Sequence, residues 1–279
     1  MSRNVAASVR ARLKNHADEA KQDFNLVLTR YGLERLLYRL SVSRQSSSFL
    51  LKGALLFSLW YDTPHRPTRD ADLLGFGPDD IPSAVATFRE ICTIEVEDGI
   101  TFDPQSVKGE QIRKDAGYGG VRIDLQATLD GARIRLQVDI GFGDVVTPAP
   151  EQIRYPVILD DQPAPQLRAY PKYTVVAEKF EALCKLGMAN SRMKDYFDLW
   201  VLLRTGDLDP KQLRSAIEAT FARRGTALPT TTPVGLDRAF AEDQAKNTQW
   251  AAFLKRNRLE GASLAEVIAE VRVRIAESG

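Results

Sequence analysis

The chain predicts an α/β fold (α+β in detail) from three features: an alternating β-hairpin in its middle, helical periodicity towards both ends, and a short acid-bearing strand closed by glycines. In the hairpin, Val121, Ile123 and Leu125 alternate with Arg122, Asp124 and Gln126. Ile134, Leu136, Val138 and Ile140 alternate with Arg133, Arg135, Gln137 and Asp139. Asp130-Gly131 between two such runs signals a type I′ turn. A two-residue turn there sets Asp139 opposite Arg122, both on the polar face. The expected architecture is a mixed-sheet core with an N-terminal helical arm and a C-terminal helical lobe.

Residues 1–48 read as the arm. Phe24, Val27, Leu28, Tyr31, Leu36 and Leu37 recur close to a 3.6-residue period. Basic residues outnumber acids here, which suits either contact with a polyanion or a solvated helix face. Residues 49–147 read as the core. Phe49 to Tyr61 shows no strand alternation and is predicted helical, with Trp60 and Tyr61 in the core. A loop containing His65 follows, and His65 reads as a loop residue near a substrate entrance rather than a catalytic base. Asp70 to Leu74 is a strand closed by Gly75 and Gly77, and Pro82 to Cys92 a helix with proline near its first turn.

The prolines clustered in residues 148–171 predict a linker. Residues 172–279 read as the helical lobe. Thr174 is a candidate cap for a helix running to about Leu186 and ended by Gly187. Asn190 or Ser191 can cap the next, which runs to Arg204 with Gly206 beyond it. Those two helices would be antiparallel neighbours, with Lys179 facing Asp195. Asp198 shares a helix face with Asp195, whereas Tyr196, Phe197, Leu199, Trp200 and Leu203 belong to the core. The last apolar stripe is Leu264, Val267, Ile268 and Val271.

Composition narrows the function. The 279 residues suit one large domain or two small ones, and 44% apolar with 27% charged residues is ordinary for a globular chain. Lys and Arg total 38 against 37 Asp and Glu, so extreme charge gives no argument for nucleic-acid or membrane binding. Only His16 and His65 are present, which argues against a histidine-rich zinc site and against Ser-His or Cys-His nucleophiles. Cys92 and Cys184 have no metal-like spacing and read as buried thiols of a reducing compartment. No segment resembles a signal peptide or membrane span, so a cytoplasmic protein without membrane contact is expected.

The chemistry concentrates around Asp70 and Asp72. Residues two apart on a strand share a face, so these carboxylates lie side by side and repel unless a cation intervenes. Hard divalent ions such as Mg²⁺ take oxygen ligands of this kind together with substrate phosphates. A lone Asp-x-Asp equally fits a solvated strand end. Asp139, on the polar face of a second strand, supplies a third acid, and three carboxylates could hold one or two Mg²⁺ ions (or Mn²⁺) for phosphoryl displacement. Gly53 would let the backbone approach a triphosphate, or would simply make a tight turn.

Lys52-Gly53, Arg66-x-Thr68-x-Asp70-x-Asp72-Leu73, Gln137 to Gly143, Ala177-Glu178-Lys179-Phe180 and Arg192-x-Lys194-Asp195-Tyr196-x-Asp198-Leu199 together resemble the polymerase-β-like nucleotidyltransferase superfamily, and within it the AbiEii/MenT toxin group. The resemblance spans Phe49 to Leu203. It implies Asp70, Asp72 and Asp139 as metal ligands, Lys179 on the triphosphate, and Asp195 as the acid of the final motif. Lys52, Gly53, Ala54, Ser58, Arg66, Thr68 and Arg192 would bind the nucleotide. Ala54 stands where the family commonly has serine, so a backbone amide or Ser58 must substitute for that hydroxyl.

The resemblance further implies an NTP-Mg²⁺ complex bound between two lobes. It also implies an RNA acceptor such as the tRNA 3′ end, and a cognate antitoxin encoded nearby. Small-molecule nucleotidylation, a metal-dependent nuclease and a non-catalytic binding module are the competing expectations.

Overall fold

A computed structural model of the chain describes residues 4–61, 66–113, 119–205 and 207–277. His65 and Gly206 lie outside these residues. The chain divides into two compact units, Met1–Gly143 with Glu151–Ala169, and Asp144–Pro150 with Tyr170–Gly279.

The first unit begins with helices α1 (Val5–Glu19) and α2 (Phe24–Val42), whose first turns are capped by Asn4 and Asp23. Strand β1 (Phe49–Lys52) follows, then helix α3 (Phe57–Trp60), strand β2 (Asp70–Gly75) and helix α4 (Ile81–Cys92). Strands β3 (Ile100–Arg113), β4 (Gly119–Leu129), β5 (Ala132–Phe142), β6 (Glu151–Arg154) and β7 (Gln166–Ala169) complete it. One seven-stranded sheet runs in the order β3-β4-β5-β2-β1-β7-β6. It is mixed, because β2 pairs parallel with β5 and antiparallel with β1, and β1 pairs parallel with β7.

The mid-chain hairpin forms as the alternation predicts. Asp130 and Gly131 both take positive φ, 45° and 77°, as a type I′ turn requires, and Arg122 pairs with Asp139. The segment from Phe49 departs from the helical expectation. Its first four residues form β1, which is buried along its whole length. A strand enclosed on both faces reads as a continuous apolar run without alternation, which is why its period misled. Only its second half coils, first as a 3₁₀ turn over Gly53–Leu56 and then as α3. The proline-rich stretch likewise holds structure: β6 and β7 pair antiparallel at the sheet edge, and Pro156, Pro163 and Pro165 fall between them.

The basic N-terminal residues mostly turn inward or meet acids. Arg12 donates to Asp161 at 2.9 Å, Lys14 pairs with Asp18, and Arg10 reaches Asp130 at 3.5 Å. Arg35 is buried against Glu34 at 2.8 Å. Arg39 forks onto Asp98 at 2.7 and 3.1 Å and donates to the Ile94 carbonyl at 2.9 Å. Arg35 and Arg39 are thus buried, while Arg10, Arg12 and Lys14 form exposed ion pairs.

The second unit is helical: α5 (Lys172–Leu186), α6 (Met193–Arg204), α7 (Pro210–Arg224), α8 (Arg238–Glu242), α9 (Gln244–Asn257) and α10 (Leu264–Ala276). Helix α5 starts at Lys172, with Pro171 rather than Thr174 at its N-cap position. The Thr174 hydroxyl instead donates to the Thr147 carbonyl at 2.8 Å and accepts from the Thr147 amide at 3.0 Å. Before α6, Asn190 Oδ1 accepts from the Arg192 amide at 2.8 Å. Leu264, Val267, Ile268 and Val271 are all buried, as their stripe predicts. Among the described residues no helix is long and apolar enough to cross a membrane.

Asp98 is fully buried and Arg39 is 2% exposed, so neither charge has water as an alternative partner. Asp98→Asn strands the guanidinium and should lower the unfolding free energy by about 3–5 kcal/mol, measured by urea denaturation at neutral pH.

Candidate active site

The parallel register of β2 and β5 brings the predicted acids together. Asp72 pairs with Asp139 and Asp70 with Gln137. Cross-strand partners point to one face, as do residues two apart along a strand, so Asp70, Asp72, Gln137 and Asp139 share it. On the other side of β2, Lys52 pairs with Asp72. Lys52 is buried at the end of β1, where the chain turns through Gly53.

Gly53 has φ of +75°, and a Cβ there would meet Asp72 Cγ at 2.7 Å. Both facts demand glycine. The turn needs a left-handed backbone, and the backbone must pass directly over the Asp72 carboxylate. Ala54 follows, half-buried in the 3₁₀ turn. Ser58 is half-buried on α3, and burial pushes the Tyr155 hydroxyl up to about 12.

Each acid has a particular partner. Thr68 Oγ1 donates to Asp70 Oδ1 at 2.6 Å. Arg122 grips Asp139 with both arms of its fork, Nε to Oδ1 at 2.8 Å and Nη2 to Oδ2 at 2.9 Å. Gln137 Nε2 adds a longer bond to Oδ1 at 3.3 Å. That bond from Arg122 to Asp139 keeps the guanidinium pKa above its ordinary value. Arg66 is half-buried just upstream of Thr68. Sequence reading placed Arg122 opposite Asp139 but did not count it as a site residue, although the hairpin register carried the signal.

The donor set suits a hard divalent cation in chemistry and in its glycine cradle, and Asp70 and Asp72 fit it directly. Asp139 fits by position, with its oxygens engaged by Arg122. Among the described residues, no three His, Cys, Asp or Glu side chains form a ready-made metal cluster. Cys92 and Cys184 are free thiols that burial pushes up to about 12, which leaves them unsuited to nucleophilic work at neutral pH.

In the second unit, Lys179 on α5 meets two carboxylates of α6, Asp195 at 2.9 Å and Asp198 at 2.8 Å. The predicted cross-hairpin pairing is present, and Asp198 joins it as a direct ligand of the ammonium. Arg192 Nε approaches the other Asp195 oxygen at 2.6 Å as an ion pair. Its alignment is not that of a hydrogen bond, so this oxygen has no hydrogen-bond partner among the described residues. Burial works to raise the Asp195 carboxyl, but Lys179 and then Arg192 outweigh it and hold its pKa below the usual carboxylate value.

The site is thus an acid-bearing strand paired in register with a third carboxylate, beside a glycine turn, on a mixed sheet. The family described as "Nucleotidyl transferase AbiEii toxin, Type IV TA system" matches residues 35–270. The chain belongs to this family and is a nucleotidyltransferase. The match runs beyond Phe49 to Leu203 at both ends, taking in part of α2 and most of α10.

The fold is similar to that of JHP933 from Helicobacter pylori, with a TM-score of 0.53 at 15% identity over 91% of each chain. A second H. pylori structure, described as a candidate nucleotidyltransferase, scores 0.49 at 14% identity over 90% of this chain and 93% of that one. No curated protein matches.

Two outcomes follow from this geometry. Gly53→Ala should lower the unfolding free energy by about 1–3 kcal/mol in urea, since it strains the turn and displaces Asp72. Asp195 has a depressed folded pKa, so its ionisation stabilises above the unfolded value of about 3.9 and that stability is lost as pH falls through the folded value. Between pH 5 and pH 3 the wild type should therefore lose stability more steeply than Asp195→Asn, measured by urea midpoints across that range.

Proposed function

We propose that this chain transfers a nucleotidyl group from a nucleoside triphosphate to a hydroxyl of RNA, such as the tRNA 3′ end, and is opposed by a cognate antitoxin encoded nearby. The observation that carries the reading is the in-register pairing of Asp72 with Asp139, with Asp70 on the same face and Gly53 passing over Asp72. In the reaction, the acceptor hydroxyl gives up its proton to solvent as its oxygen bonds to the α-phosphorus, the bond from the α-phosphorus to the α–β bridging oxygen breaks, and pyrophosphate leaves with that electron pair. Mg²⁺, or Mn²⁺, when bound would supply Lewis-acid charge at the attacking and leaving oxygens.

The chain's own residues prepare that site. Asp70, Asp72 and Asp139 would hold the cation, one or two ions in all. Thr68 fixes the Asp70 carboxylate through its 2.6 Å bond. Gly53 and Ala54 would bring backbone amides to the phosphates, and these amides or the Ser58 hydroxyl would offset the missing serine hydroxyl. Lys52 and Arg66 would bind the nucleotide. In the second unit, Asp195 and Asp198 fix the Lys179 ammonium, and Arg192 stands beside Asp195. Action in the cytoplasm fits the two free cysteines.

The test incubates the protein with labelled NTPs and either total RNA or a metabolite extract. Label should enter RNA with release of pyrophosphate. Asp70→Asn and Asp72→Asn should lose this at least about a hundredfold while keeping the wild-type far-UV spectrum. Label entering only small molecules would replace the RNA reading, and RNA shortening without NTP would replace transfer by nuclease chemistry.

A further inference from the structure

The three acids of the candidate site do not have equivalent partners. Asp70 receives a hydroxyl, a neutral donor that orients the carboxylate without cancelling its charge. Asp139 receives a whole guanidinium, whose two bonds of 2.8 and 2.9 Å cover both oxygens. The pairing is built into the sheet, because Arg122 and Asp139 are register partners on β4 and β5, and Asp139 is in turn the partner of Asp72 on β2. Arg122 is 32% exposed and Asp139 16%, so water can reach and replace this pair. A further acid, Glu110, stands 3.7 Å from Arg122 Nη1 and offers the guanidinium a second partner on the side of β3.

We propose that Arg122 is the resting counter-ion of Asp139 and a positioning residue for the cation site, holding the third carboxylate beside Asp72 until a divalent ion takes over its charge. The inference rests on the cation reading given above. Its consequence is electrostatic. An incoming cation is attracted by the carboxylates and repelled by Arg122, and it gains the full charge of Asp139 only as the fork lets go. Arg122 therefore lowers the affinity of the empty site for divalent ions, and it keeps neighbouring carboxylates together when no ion is present.

The full-length protein without nucleotide is titrated with Mn²⁺, and free ion is read by electron paramagnetic resonance. Arg122→Gln leaves Asp139 uncompensated and should bind Mn²⁺ about tenfold more tightly than wild type. Asp139→Asn leaves Arg122 uncompensated and should bind more weakly. The double variant removes both charges and should return close to wild type. A purely structural Arg122 would give a different pattern, with Arg122→Gln equal to or weaker than wild type and the double variant as weak as Asp139→Asn. Either result, with an unchanged far-UV spectrum, overturns the proposal.

If Arg122→Gln does not fold, Arg122→Lys replaces it. Lysine cannot cover both oxygens, so Mn²⁺ should bind severalfold more tightly, and equal or weaker binding overturns the proposal. Failure of the underlying cation reading looks different: Mn²⁺ binding would be absent in every variant or indifferent to Asp70→Asn and Asp72→Asn.

Discussion

Like charges crowded on one face of a sheet are the constraint on which this structure turns. Pairing β2 in parallel with β5 fixes Asp72 beside Asp139, and the pleat adds Asp70 to the same face. At about 4 Å, two carboxylates repel by roughly 1 kcal/mol in water and about 4 kcal/mol where the effective dielectric falls to about 20. The fold therefore has to bring donors to the acids it assembles. It does so with side chains from separate places in the chain: Thr68 before β2, Arg122 on β4, and Gln137 on β5 itself.

Strand β1 ends at Lys52, where the chain bends through a left-handed glycine and enters a 3₁₀ turn. A side chain at residue 53 in that bend would run into the Asp72 carboxylate. A strand ending in a glycine bend directly over an acid gives backbone amides access to whatever anion the acid-bound cation brings with it. Burial of Leu50, Leu51, Leu55, Leu56 and Phe57 anchors the turn on both sides, and the Phe57 amide closes it by donating to the Ala54 and Leu55 carbonyls.

Much of this was readable from the sequence because it depends on short-range pattern. Alternation and Asp130-Gly131 fixed the β4–β5 hairpin to the residue, and with it the Arg122–Asp139 pairing. The spacing of Lys179 and Asp195 across a short connection foretold their contact. What was hidden depends on long-range burial. β1 looked helical because a strand buried on both faces has no polar side to alternate. The edge strand β3 went unread because its register shifts between Asp103 and Lys108, around Pro104, and breaks the apolar alternation of Ile100, Phe102 and Val107. The arm left contact with a polyanion and a solvated helix face both open, because nothing local reveals that Asp98, far along the chain, closes over Arg39.

The two charged groups of the site candidates sit in different solvent regimes, and that decides what each can do. Asp195 and Asp198 are 0% and 1% exposed, and breaking such a pair leaves a buried charge without compensation. The Lys179 cluster is therefore a fixed piece of electrostatics, an ammonium held in one place between two buried carboxylates. Arg122 and Asp139 keep partial contact with water, where an ion pair contributes little net stability and each partner can be resolvated when the other leaves. Bidentate geometry gives the pair direction, while exposure keeps it replaceable. A carboxylate needed only when a cation arrives is best kept by a partner of that second kind, close enough to hold its place and weakly enough bound to release it.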